Sequence, residues 1–159
     1  FFQQQRLQMF FSGGCPLRIQ LLRGASFGVT AFIVALVFVK SPWFKASRIF
    51  FTGLIASIHP SFVHILFYSF CAGVGEEILF RGAVQPYLGI WFTSIVFIFL
   101  HGYLNPFNWP IMLYGLLMVF ISAGLGYLYE IYGIYAAMLA HFIFDVGMFS
   151  FLRWNIGKE

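Results

Sequence analysis

Three short groups of hydrophilic side chains interrupt the middle of this chain: Glu76, Glu77 and Arg81; then His101; then His141 and Asp145. A charge at the centre of a membrane span costs roughly 2.5 to 3.5 kcal/mol on insertion scales, so such residues mark a functional site by default. Spacing sorts them by task. Glu77 and Arg81 are four residues apart, share a helix face and can form an ion pair that offsets the burial of each. Glu76 is turned by about 100° from Glu77 and is left free for other work. His141 and Asp145 repeat the four-residue spacing and project toward one point; Phe97 and His101 repeat it again, with the aromatic ring able to wall a cavity beside the imidazole. Carboxylates and imidazoles gathered in this way can ligate zinc with an open position for water, relay protons through a transporter, or tie helices together.

The elements that must position these groups are membrane helices. The chain is 61% hydrophobic and 9% charged, with 23 Phe in 159 residues, a composition outside the range of soluble globular domains. Between Arg48 and Arg153 the only Lys or Arg is Arg81, so the formal net charge of +4 lies toward the ends. Arg6, Arg18, Arg23, Lys40, Lys45, Arg48, Arg153 and Lys158 read as membrane-flanking anchors, with the lipid bilayer as partner and no nucleic-acid surface. The expected fold is all-α, a polytopic transmembrane bundle of five to six membrane helices, in one membrane domain covering residues 1–159. Spans are expected at residues 24–39, about 60–84 with a close at Pro86, 88 to about 103, 111–129 and 133–152; residues 49–58 are too short to cross and predict a re-entrant or surface-lying helix, or the start of a bent span. His59-Pro60-Ser61 opens a helix because Pro is favoured in the first turn.

These spans put the polar groups at one depth. Glu76 lies ten residues before the expected turn at Pro86, His101 fifteen after it, and His141 nine after an expected turn at Tyr132. At about 1.5 Å per residue they lie roughly 13 to 23 Å below one membrane face, in the middle layer of a hydrocarbon core about 30 Å thick. The even number of crossings between Lys40 and Arg153 places both on one face, and the positive-inside rule assigns that face and the C-terminus to the cytoplasm.

Glu76-Glu77-Ile-Leu-Phe-Arg81, Phe97-Ile-Phe-Leu-His101 and His141-Phe-Ile-Phe-Asp145 resemble the ordered motifs EExxxR, FxxxH and HxxxN/D of the CPBP (ABI) family, which includes the type II CAAX prenyl endopeptidases and their bacterial relatives. The resemblance covers a core of about residues 60–151, including Gly124-Leu-Gly126-Tyr-Leu-Tyr-Glu130, which is similar to the family's penultimate helix and turn. It implies an intramembrane, metal-independent glutamic endopeptidase without a cofactor. Glu76 would act as the general base on a water, assisted by His101; Glu77 would brace Arg81; His141 and Asp145 would face the oxyanion; Phe97 would support His101. Asp145 departs from the Asn of the prenyl-peptide branch, and an ionised Asp cannot donate a hydrogen bond. It must then be protonated, or orient His141, or leave His141 as the main donor.

Other readings stay open at this level. A zinc protease could be built from Glu76, His101, His141 and Asp145, although a HExxH pair is absent. A catalytically idle scaffold, a bacteriocin-immunity protein or a transporter-like protein could carry the same groups. His59 and His64 have no partner at matching depth, Glu130 falls in an expected turn and reads as solvated, and Gly73, Gly75, Gly115, Gly124 and Gly126 read as sites of close helix packing. Cys15 and Cys71 stand in no metal or redox spacing and read as packing residues. The chain starts at Phe1 without a Met, which leaves room for a longer natural N-terminus. The expected setting is a bacterial inner membrane, and the expected substrate a peptide, a leader or a sorting tail of a membrane protein.

Overall fold

Hydrocarbon offers no partner for a backbone N–H or C=O, so apolar runs of this length must satisfy their hydrogen bonds internally, as helices. The computed structural model describes residues 10–157. Helix α1 covers Leu17–Val39; a 3₁₀ turn at Pro42–Phe44 leads to α2, Lys45–Ile58; α3 is Phe62–Glu77 and continues through a π-helical segment, Ile78–Val84, into α4, Gln85–Leu100; α5 is Trp109–Tyr132 and α6 is Ile134–Trp154. The result is a helical membrane bundle. Among the described residues, four stretches are long and apolar enough to cross a membrane: Leu17–Val39, Phe62–Leu100, Trp109–Tyr132 and Ile134–Trp154.

The second of these, at 39 residues, would measure about 58 Å if straight, nearly twice a hydrocarbon core. It bends back on itself, and the bend is not where the sequence suggests. Pro86 sits in the first turn of α4, where a missing N–H costs little, and the reversal falls at Gly89, with φ 71° and ψ 171°. That conformation is essentially reserved for glycine. Contacts along α5 record the reversal: Gln85 and Ile90 both lie level with Gly126, Trp91 packs edge-on to Phe120, and Tyr103 reaches Gly115. The limb after Gly89 is helical only as far as Leu100, about half a membrane thickness, and irregular backbone at residues 101–108 completes the passage to α5.

Helix α1 begins seven residues earlier than expected, so Arg18 and Arg23 belong to its first turns. It runs parallel to α6 along a seam of small residues. A Cβ on Gly24 would stand 2.5 Å from the Ala136 carbonyl oxygen, and one on Gly28 would stand 2.6 Å from that of Ala140, distances that only glycine relieves. Gly73, Gly115, Gly124 and Gly126 are also closely approached, but Gly75 faces open space. Cys71 is exposed rather than packed inside.

Helix α2 spans 14 residues and turns Ser47 and Thr52 inward while Ile49, Phe50, Leu54 and Ile58 face out. An apolar outward face on so short a helix suits a segment dipped into lipid without crossing it. His59, with φ 49°, ends α2, and Ser61 and His64 form a reciprocal capping box at the start of α3. Both histidines therefore have local structural work. Lys40 lies over the Phe151 ring at 5.7 Å, and Phe62 lines one groove with Arg153 and Trp154, so the ends of α1 and α6 and the start of α3 share a membrane face. Exposed Trp43, Trp109 and Trp154 form an aromatic belt there. The turns at Gly89 and Gly133 lie on the other face, where Cys15 N–H donates to the Tyr132 carbonyl at 2.8 Å.

Candidate active site

The last turn of α3 separates the two roles of the adjacent glutamates, which point about 100° apart. Glu77, at the end of α3, points into the bundle and is fully buried, as is Arg81. Glu77 Oε2 accepts from Arg81 Nε–H at 2.9 Å, and Glu77 Oε1 accepts from His141 Nδ1–H at 2.9 Å, so one carboxylate ties α3 to α6. Three further guanidinium donors go to Gln85 Oε1 at 3.2 Å, and to the carbonyl and hydroxyl oxygens of Ser122 at 3.1 and 3.2 Å. Breaking such a buried pair costs far more than forming it gains, because the survivor is left as an unpaired charge.

Glu76 points the other way. Its side chain is 33% exposed and that of His101 is 35% exposed. Glu76 Oε1 lies 3.8 Å from His101 Nε2, and Oε2 lies 3.8 Å from His141 Nε2. Both gaps are too long for direct hydrogen bonds and short enough for one water to span. Asp145 Oδ2 is 3.7 Å from His141 Nε2, on the same side of the ring as Glu76. The structure thus brings Glu76, His101, His141 and Asp145 around one point, with Glu77 and Arg81 behind it. Among the described residues, no group of three or more His, Cys, Asp or Glu is arranged to hold a metal ion.

Tautomers follow from the acceptors. His101 Nδ1 lies 2.8 Å from the Phe97 carbonyl, which can only accept, so Nδ1 carries a proton and a neutral ring presents the Nε2 lone pair toward Glu76. His141 Nδ1–H is committed to Glu77 in the same way, leaving Nε2 toward Glu76 and Asp145. Phe97 packs against both rings, at centroid distances of 4.4 Å to His101 and 6.0 Å to His141.

Four residues around the site lie outside the three ordered motifs. Tyr103 lies nearly parallel to the His101 ring, 6.1 Å between centroids. Gln85 extends the Glu77–Arg81 ladder by one further four-residue step, a spacing legible in the sequence. Ser122 receives Arg81 from α5, and Glu130 accepts from Gln85 Nε2 at 3.0 Å. Glu130 is in the last turn of α5 rather than in a turn between helices; it is exposed, and it has a partner.

Helices α3 and α4 touch little above the π segment, because they splay from the bend at Gly89. Glu76 and His101 stand on the two arms of that V. The irregular backbone of residues 101–108 begins at His101. Glu76 and His101 are partly exposed there, while Glu77, Arg81, Gln85 and Ser122 are buried behind them.

Fold and site together define a polytopic membrane protein with a partly exposed acid–imidazole cluster backed by a buried ion pair. Residues 58–147, more than half of the chain, match the model of the family described as type II CAAX prenyl endopeptidase Rce1-like, and the chain belongs to that family. This agrees with the resemblance carried by the three motifs. The chain is also 33% identical over 126 residues to the uncharacterized protein YpbD of Bacillus subtilis (strain 168), an alignment covering 77% of this chain. The same alignment spans 63% of that relative, just under two thirds of its length. No solved structure matches.

Proposed function

We propose that the protein is an intramembrane glutamic endopeptidase of a bacterial inner membrane that hydrolyses a peptide or membrane-protein substrate. The observation that carries this reading is the placement of the Glu76 carboxylate 3.8 Å from both imidazole Nε2 atoms, a third exposed, in front of a sealed ion pair. A water between Glu76 and His101 gives one hydrogen to the carboxylate and one to the Nε2 lone pair, which aims an oxygen lone pair at a carbonyl carbon in the opening. As the C–O bond forms, the proton passes to Glu76 and the carbonyl oxygen becomes an oxyanion. Glu76 then returns that proton to the amide nitrogen as the C–N bond breaks, leaving a carboxylic acid and an amine.

His141 serves the oxyanion. With Nδ1–H held by Glu77, the donor in this role is an Nε2–H, so the ring carries both protons and is flanked by the carboxylates of Glu77 and Asp145. Asp145, 3.7 Å from Nε2, then acts as counter-charge and orienting group rather than as a donor. The lipid-level gap between α3 and α4 suits an extended segment of a membrane-associated chain, such as a leader or a sorting tail.

Cleavage of a library of membrane-anchored reporter peptides by the purified protein tests this. The Glu76→Gln variant should lose about 10²- to 10⁴-fold in kcat, the range of a positioned base, with its thermal stability unchanged because the side chain is partly exposed. Equal cleavage by both proteins would end the glutamic-peptidase reading. Binding of peptide without cleavage by either would favour a scaffold.

A further inference from the structure

The described residues contain four acids, Glu76, Glu77, Glu130 and Asp145. Three of them face His141. The fourth, Glu130, stands eight residues along α5 from Ser122, about 12 Å nearer the far membrane face. Its place is electrostatically poor, since a carboxylate in the last turn of a helix meets the negative end of the dipole. Yet it belongs to a continuous chain: Asp145 beside His141, His141 to Glu77, Glu77 to Arg81, Arg81 to Gln85, and Gln85 to Glu130.

Each link after Glu77 is made by a group with few alternatives. Gln85 is 4% exposed; its Oε1 accepts from Arg81, while its Nε2 donates to Glu130 at 3.0 Å and to the Gly126 carbonyl at 3.4 Å. An amide can flip, and a flipped Gln85 would present its NH₂ to the guanidinium, donor against donor, and its oxygen to the carboxylate. Glu130 prevents this, because a carboxylate has only acceptors. It fixes the sense of the Gln85 amide, which fixes the Arg81 fork, which fixes Glu77 and therefore the Nδ1–H of His141. Arg81 cannot give up a proton, so the chain transmits orientation and not protons.

We propose that Gln85 and Glu130 are positioning residues for the site: from the opposite membrane face they set the direction of the Arg81–Glu77–His141 chain and hold His141 Nε2 toward the oxyanion. This rests on the peptidase reading for its activity readout and on geometry alone for its spectroscopic one.

The test uses Gln85→Leu, Gln85→Glu and the exchange Gln85→Glu/Glu130→Gln in the full chain. Gln85→Glu sets two carboxylates against each other at the 3.0 Å position; the exchange restores one donor and one acceptor with their places reversed. Both single variants should lose about 10- to 100-fold in kcat, the scale of outer partners that orient a working histidine. KM should stay within about twofold, and the exchange should recover to within about threefold of the parent. Intact kcat in Gln85→Glu, or an exchange as poor as the single variant, overturns the proposal; should Gln85→Leu fail to fold, the exchange pair carries the test. The His141 Nδ1–H resonance in ¹⁵N-histidine-labelled protein is read in parallel. If the parent cleaves no peptide, the peptidase reading fails while a resonance that moves in Gln85→Glu and returns in the exchange supports positioning. A resonance that does not move overturns it.

Discussion

Replacing Glu77 with Met removes one partner of an ion pair in which both side chains are fully buried, and leaves the Arg81 guanidinium facing a thioether. The expected loss is about 3–5 kcal/mol, the penalty of an uncompensated buried charge. The competing view, that Glu77 is an ordinary polar contact between membrane helices, gives about 0.6 kcal/mol. These numbers are far enough apart for one measurement to decide. The double variant Glu77→Met/Arg81→Met sharpens the comparison: no charge remains unpaired, and the main residual cost is the orphaned Nδ1–H of His141, worth about 1–3 kcal/mol. The double variant should therefore be more stable than either single one, a coupling of at least about 2 kcal/mol. Unfolding in mixed micelles of increasing denaturing detergent, followed by tryptophan fluorescence, supplies all four corners of the cycle. A single-variant loss below about 1 kcal/mol, or a double-variant loss equal to the sum of the singles, would refute the reasoning.

Further expectations concern Asp145, metal and the helix seam. Asp145→Asn should lower kcat by about 10- to 100-fold, because it removes the counter-charge 3.7 Å from His141 Nε2 that favours the doubly protonated ring; an unchanged kcat would show that the negative charge is not needed. Prolonged chelation should leave peptide cleavage within about twofold of the untreated protein, whereas loss restored by zinc would assign Glu76, His101, His141 and Asp145 as ligands instead. Gly28→Leu should lower stability by more than about 2 kcal/mol, since even a Cβ would stand 2.6 Å from the Ala140 carbonyl oxygen; a neutral outcome in the same unfolding assay would disprove tight packing of α1 on α6.

The helical class was legible because apolar runs far longer than any soluble helix face admit no other backbone solution. The three polar groups were legible for the same reason, since each stands out against a hydrophobic background. Breaks were harder. Pro86 looks like the end of a helix, but a π-helical turn ahead of it absorbs the proline, and the reversal passes to Gly89, whose need for a positive φ leaves no mark in composition. The early start of α1 was hidden by Arg18 and Arg23, charged residues that a membrane-edge helix accommodates. Gln85 and Glu130 were passed over because a neutral amide carries no charge signal, and because a lone acid at a helix end is usually solvated. Only the meeting of α4 with α5 gives them a common purpose.

In the proposed mechanism the site is served from one side of the membrane only. Behind it, Glu77, Arg81, Gln85 and Ser122 are buried, and Arg81 cannot hand a proton across. Every proton that the proposed hydrolysis takes from water, and every one it returns to an amine, then belongs to a single aqueous compartment. Moving a charge through the bilayer would couple turnover to the potential by about 2.3 kcal/mol per 100 mV. A cycle confined to one face performs no such electrical work, so proteoliposomes should hydrolyse substrate at the same rate whether or not a potential is imposed.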